Sequence, residues 1–278
     1  MRRATTRRAA TVGTLALAAV LALVACSDGT DGPADASTST GSAEPELTGD
    51  LTVFAAASLQ AAFDELATTF MEQHPSVQVA PVTYDGSSTL ATQLVEGASA
   101  DVLATADEKS MATVVDAGLV EGAPTVFTTN TLQIVVPARN PRHVRSLADL
   151  ATLASSGGIV VLCAPEVPCG SAAHKALDTA GVTFTPGSEE QNVKAVLTKV
   201  QTGDADAGIV YRTDVLGAGD AVEGVDFAEA ASAVNAYPIA LLAEPTRTHG
   251  DDVAQAFVDL VLSDEGQQVL ADHGFVSP

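Results

Sequence analysis

Short apolar runs alternate along this chain with segments whose apolar residues recur at spacings of three and four. That alternation restricts the fold to an α/β class with strands buried on both faces. Leu51-Thr52-Val53-Phe54-Ala55 is the first such run. Behind it, Leu59, Ala62, Phe63, Leu66 and Phe70 share one helical face, opened by Ser58 and closed by Pro75. Further strands are predicted at 77–82, 101–104, 132–136, 159–163, 207–211 and 237–242. Further helices are predicted from Ser87 or Ser88 to near Gly97, and at 109–117, 147–155, 171–180, 193–202, 251–262 and 264–273. Strand–helix repetition of this kind implies parallel sheets.

The N-terminus belongs to export rather than to the fold. Arg2, Arg3, Arg7 and Arg8 precede an apolar stretch over 14–24, so residues 1–25 read as a secretory signal, too short for a comfortable membrane span. The small residues before Cys26 resemble the bacterial lipobox, in which the cysteine is lipidated and becomes the mature N-terminus; the alternative is a plain signal peptide with a chance cysteine. Arg7-Arg8 leaves both Sec and Tat export open. After Cys26, the segment to residue 50 is, apart from Leu47, Ser, Thr, Gly, Ala, Pro and acid with no aromatic residue, so 26–50 suits a flexible tether. About 230 residues remain, enough for one large or two small lobes.

The formal net charge is −22, and the signal contains four Arg and no acid, so the exported chain is more negative still. Nucleic acid is excluded as a partner, because phosphate binding needs a basic footprint. The same charge repels an anion at long range, but salt screens that field over about 8 Å, so local donors can prevail. With Cys26 set aside, Cys163 and Cys169 form a pair in an oxidising compartment. They form either a disulfide that shapes the loop between them or two buried free thiols.

Five segments look like the walls of one anion pocket. They are 55–59 around Ser58, 86–90 around Ser87, 168–171 around Cys169, 191–194 around Val193, and 208–211 ending on Tyr211. The first four sit where a strand or loop feeds a helix, and the fifth ends a buried strand on a phenol. Ligands in α/β sheets collect at such carboxyl ends of strands. Helix N-termini offer unsatisfied N–H groups and about half a positive charge. Taken singly, Ser58 is an N-cap, Ser87 and Ser88 a polar turn, Asn192 an ordinary cap and Tyr211 an edge-of-core tyrosine. Catalysis is disfavoured: His74, His143, His174, His249 and His273 show no HExxH spacing, and GxSxG, phosphate-loop and dinucleotide fingerprints are missing.

In order, Phe54-Ala55-Ala56-Ala57-Ser58-Leu59, Ser87-Ser88-Thr89-Leu90-Ala91-Thr92-Gln93-Leu94, Ala100-Asp101-Val102-Leu103-Ala104-Thr105-Ala106-Asp107, Pro165-Glu166-Val167-Pro168-Cys169-Gly170, Gly208-Ile209-Val210-Tyr211 and Gly274-Phe275 resemble the periplasmic molybdate-binding proteins of ABC importers. The resemblance covers residue 51 to the C-terminus. It implies a two-lobed periplasmic-binding-protein (venus flytrap) fold with two crossings, near 129–131 and 236–238. Lobe 1 would comprise 51–130 plus 238–278, and lobe 2 131–237. Carried over by motif, the ligand is held by amide and hydroxyl of Ser58 and Ser87, by the amides of Cys169 and Val193, and by the hydroxyl of Tyr211. Cys169 departs from the family, where a small residue such as Ala stands, but an amide donor tolerates the change. Also implied are molybdate or tungstate as ligand, with no direct protein ligand to the metal and no cofactor. A permease and its ATPase are the expected partners of a monomer anchored through Cys26 to the outer face of the cell membrane. Sulfate or another tetrahedral oxyanion is the alternative ligand. Neutral donors suit fully ionised oxyanions, since a protonated one would bring a donor with no acceptor, costing about 1–3 kcal/mol.

Overall fold

The computed structural model describes residues 46–278. The signal, Cys26 and all but the end of the tether lie outside the described residues. Among the described residues no helix is long and apolar enough to cross a membrane.

The chain begins with β1 (Gly49–Leu51), β2 (Val53–Ala56), a 3-10 turn at Ala57–Leu59, α1 (Gln60–Gln73), β3 (Val77–Val79) and β4 (Thr83–Asp85). It continues with α2 (Ser87–Val95), β5 (Val102–Ala104), α3 (Glu108–Asp116) and β6 (Val120–Asn130). The middle third holds β7 (Leu132–Pro137), α4 (Leu147–Ser155), β8 (Val160–Cys163), α5 (Pro168–Ala180), β9 (Ser188–Glu190), α6 (Val193–Thr202), β10 (Ala207–Tyr211), α7 (Arg212–Ala218) and β11 (Val222–Val225). The chain closes with β12 (Asn235–Leu242), α8 (Asp251–Leu262) and α9 (Asp264–Asp272).

Two five-stranded sheets carry the two lobes, in the orders β4-β2-β5-β12-β6 and β11-β7-β10-β8-β9. Each is mixed, not purely parallel as the alternation implied. β4, β2 and β5 run parallel, but β12 is antiparallel to both β5 and β6; β8, β9 and β10 run parallel, with β7 antiparallel to β10. The connections between lobes explain the mixture. β6 leaves the first lobe and β12 returns to it, and an outgoing and a returning strand placed side by side must run in opposite directions. The outward passage is at Thr131, between Asn130 of β6 and Leu132 of β7. The return falls between Val225 and Asn235, so residues 236–238 lie inside β12, where Ala236 and Tyr237 already face Thr129 and Thr128. Gly49 and Asp50, placed in the tether by sequence, pair with β3.

β2 shows why an unbroken apolar run is needed. Val53 and Ala55 point into a core with Phe63, Phe70 and Phe257. Phe54 points to the other side, against Leu90, Leu94 and Met111. Each fully buried Leu or Phe of this kind contributes roughly 1.5–3 kcal/mol. The second lobe has one continuous core through Val135, Val161, Leu162, Val196 and Ile209.

The first lobe also contains a buried carboxylate. Asp101 accepts hydrogen bonds from the amides of Thr52 (2.7 Å), Thr248 (2.8 Å) and His249 (2.8 Å), and its Oδ2 lies 2.9 Å from His249 Nδ1. Burial opposes its ionisation, but the His249 ring and the three amides outweigh that and hold the carboxyl below its ordinary value.

Candidate oxyanion site

All five predicted residues line one small cavity between the lobes, together with Ala56, Ala57, Asp85, Gly86, Ala106, Pro168 and Asn192. Local folding places each. Ser58 sits in the 3-10 turn that follows β2, and Ser87 is the first residue of α2, separated from β4 by Gly86 alone. Cys169 is the second residue of α5, which starts at Pro168 rather than at Ser171 as the periodicity suggested. Proline at the first helical position is pre-set in φ and lacks the N–H that would have no partner there, so the helix gains three residues and its open amides reach the cavity. Val193 opens α6 behind Asn192, whose Oδ1 accepts from Ala195 N at 3.0 Å. Tyr211 ends β10 and precedes α7. First-turn amides have no acceptor inside their own helices, so four segments offer N–H groups to one space.

The side chains are arranged with equal economy. Ser58 Oγ and Tyr237 Oη are 3.0 Å apart, and Asn130 Nδ2 reaches Tyr237 Oη at 3.4 Å while donating to Thr213 Oγ1 at 2.9 Å. Ser87 Oγ accepts from Ala106 N at 2.9 Å, which leaves its own proton free to donate. Among the described residues Tyr211 Oη is buried and makes no hydrogen bond of ordinary geometry, although it interacts with the Tyr237 phenol beside it. Burial, with Tyr237, Asp107 and Asp214 adding to it, pushes this phenol well above its ordinary value, so it remains a neutral donor. Cys163 and Cys169 are joined in a disulfide that ties the end of β8 to the first turn of α5.

Among the described residues the cavity lining includes no Lys or Arg and one acid, Asp85. Lys194 follows Val193, but its Nζ lies 3.0 Å from Asp214 Oδ1. Burial pushes the Asp214 carboxyl up from its ordinary value, while the Lys194 ammonium and the Tyr211 amide pull it down. The cation beside the site is therefore engaged within its own lobe.

Sequence reasoning missed Tyr237, Asn130, Ala106 and Asp85. Tyr237 was visible only as part of an apolar strand, and its partner Ser58 is 179 residues away. Asn192 was read as a plain cap. It is one, and its Nδ2 also donates to Asp85 Oδ1 in the opposite lobe, at 2.9 Å.

The model of the bacterial extracellular solute-binding protein family matches residues 51–276. The chain belongs to that family. It is 45% identical over 259 residues to the molybdate-binding protein ModA of Mycobacterium tuberculosis, covering 93% of this chain and 94% of that one. The periplasmic molybdate-binding protein of Azotobacter vinelandii superposes with a TM-score of 0.67 at 20% identity, covering 82% of this chain and 99% of that one. The sulfate-binding protein SubI of Mycobacterium tuberculosis superposes with a TM-score of 0.68 at 21% identity, covering 81% and 86%. Identities this low speak for the fold alone. The solute-binding family and the two-lobed architecture thus agree with what the motifs implied.

Proposed function

We propose that this chain is the extracytoplasmic receptor of a molybdate importer, taking tungstate as well. The ion would lie in the interlobe cavity, bound by amide and hydroxyl of Ser58 and Ser87, the amides of Cys169 and Val193, and the Tyr211 hydroxyl. The observation that carries this reading is Tyr211 Oη. It is a buried, neutral donor that makes no ordinary hydrogen bond among the described residues, at a cavity where helix-opening amides converge and whose described lining has no Lys or Arg. A buried donor without an acceptor costs about 1–3 kcal/mol, and an oxyanion would remove that cost. The 45% identity to a protein named for molybdate binding supports the choice of ion.

No reaction is assigned. The hydroxyl of Ser58 faces a phenol and that of Ser87 faces an amide, and neither partner is a base able to take a proton at neutral pH. Binding and release to a permease and its ATPase remain the role. Lipidation of Cys26 would hold the domain at the outer face of the membrane. Replacing Cys26 with Ala should then move the protein from the membrane fraction to the soluble one.

The deciding experiment is calorimetric titration of the full-length protein with molybdate, tungstate and sulfate. Molybdate and tungstate should bind in the micromolar to nanomolar range, with sulfate weaker. Sulfate binding more tightly than molybdate would sink the assignment and favour the sulfate reading.

A further inference from the structure

Beside the cavity the two lobes approach at Gly86, between β4 and α2, and at Gln191, ahead of α6. A Cβ placed on Gly86 would lie 2.1 Å from the Gln191 carbonyl oxygen. That atom is backbone, so no side-chain rotation relieves the overlap. Gly86 itself has φ −60° and ψ 134°, a conformation open to every L residue. Glycine is therefore required at position 86 by the opposite lobe and not by its own turn.

The neighbouring residue adds a bond. Asp85 Oδ1 accepts from the Gly86 amide at 2.7 Å and, from the other lobe, from Asn192 Nδ2 at 2.9 Å. Asn192 uses its remaining side-chain atom to cap α6, whose first residue is Val193. Asp85 is thus tied, through Asn192, to the first turn of α6, where Val193 stands. By charge alone, a carboxylate lining an anion cavity is the wrong sign and should weaken binding. Its hydrogen bonds give it a different task.

We propose that Asp85 and Gly86 form an interlobe clasp with Gln191 and Asn192, which holds the lobes together over the ligand and sets the Val193 amide against it. The proposal rests on reading this cavity as the oxyanion site. In it Asp85 is a positioning residue, and its contribution to affinity has the opposite sign from the one its charge predicts.

The test uses the full-length protein and three variants, titrated with molybdate. Hydrogen exchange is followed in the segments 83–90 and 188–195. In the parent, molybdate should slow exchange in both segments together. Gly86→Ala should melt within about 2 °C of the ligand-free parent. It should lose that protection and bind molybdate about 100-fold more weakly, because closure is blocked. Asp85→Ala should bind about tenfold more weakly. Asp85→Asn keeps an oxygen for both donors and should stay within about threefold of the parent. Tighter binding by Asp85→Ala, or near-parental binding by Gly86→Ala, would overturn the clasp. A parent that ignores molybdate but shows the joint protection with sulfate would refute the ligand named above and support the clasp.

Discussion

The two lobes present donors to the same cavity but hold them by different means. In the lobe of β2, β4 and β5, the hydroxyls of Ser58 and Ser87 are bonded to Tyr237 and to the Ala106 amide. They are part of the scaffold as well as of the site. In the lobe of β8, β9 and β10, the amides are set by Pro168, a disulfide and the Asn192 cap, and the one hydroxyl, on Tyr211, makes no ordinary hydrogen bond among the described residues. On the proposed reading of the site, the first lobe would couple stability to affinity through its hydroxyls, and the second would separate them at Tyr211.

That contrast can be broken at several points, and the largest effect on stability is expected in the polar skeleton of the first lobe. Asp101→Ala would leave three part-buried amides and the His249 ring without their acceptor and should cost about 3 kcal/mol in denaturant unfolding. The pH dependence has a definite sign. The folded carboxyl lies below its ordinary value, so its contribution is present above about pH 4 and is lost as pH falls through the lowered value. The Asp101→Ala variant should lose correspondingly less stability in acid than the parent does; an unchanged acid limb would remove Asp101 from this role. Next in size, replacing Cys163 and Cys169 together with Ser should cost about 2 kcal/mol, read as a lower denaturant midpoint. Ser87→Ala should cost about 1–2 kcal/mol of stability, since Ala106 N loses its acceptor, and should weaken molybdate binding at least tenfold by calorimetry. Tyr211→Phe tests the other side of the contrast. It should leave the melting temperature of the ligand-free protein unchanged or higher, yet weaken molybdate about tenfold. A Tyr211→Phe protein that melts well below its parent would show that the hydroxyl has a structural partner after all, and the distinction between the lobes would fail.

Much of this arrangement was legible in the chain because its signals are local. The apolar runs of β2, β8 and β10 mark strands covered on both faces, and Ser58, Ser87 and Val193 stand where those strands or loops turn into helices. What stayed hidden depends on neighbours distant in sequence. β6 carries Gly122 and Pro124 and lies at a sheet edge, so its eleven residues show no clean alternation. β11 is a short edge strand interrupted by Gly224. α7 has seven residues, too few for a helical period to stand out. The start of α5 at Pro168 could have been read from proline's preference for the first helical turn, but the apolar spacing beyond Ser171 drew the boundary inward. Tyr237 and Asp85 carry no local mark, because each acquires its role from the tertiary fold.

The edge-to-face contact of Tyr211 and Tyr237, with ring centroids 6.0 Å apart, has an optical consequence. The chain contains three tyrosines and no tryptophan, and the third tyrosine, Tyr84, is tied to Asp64 near the surface. Near-ultraviolet absorption and emission therefore come from phenols without an overlying indole. A dianion accepting a hydrogen bond from Tyr211 should shift the spectrum of that ring pair, so the native protein would supply its own colourless-ligand indicator without any attached dye.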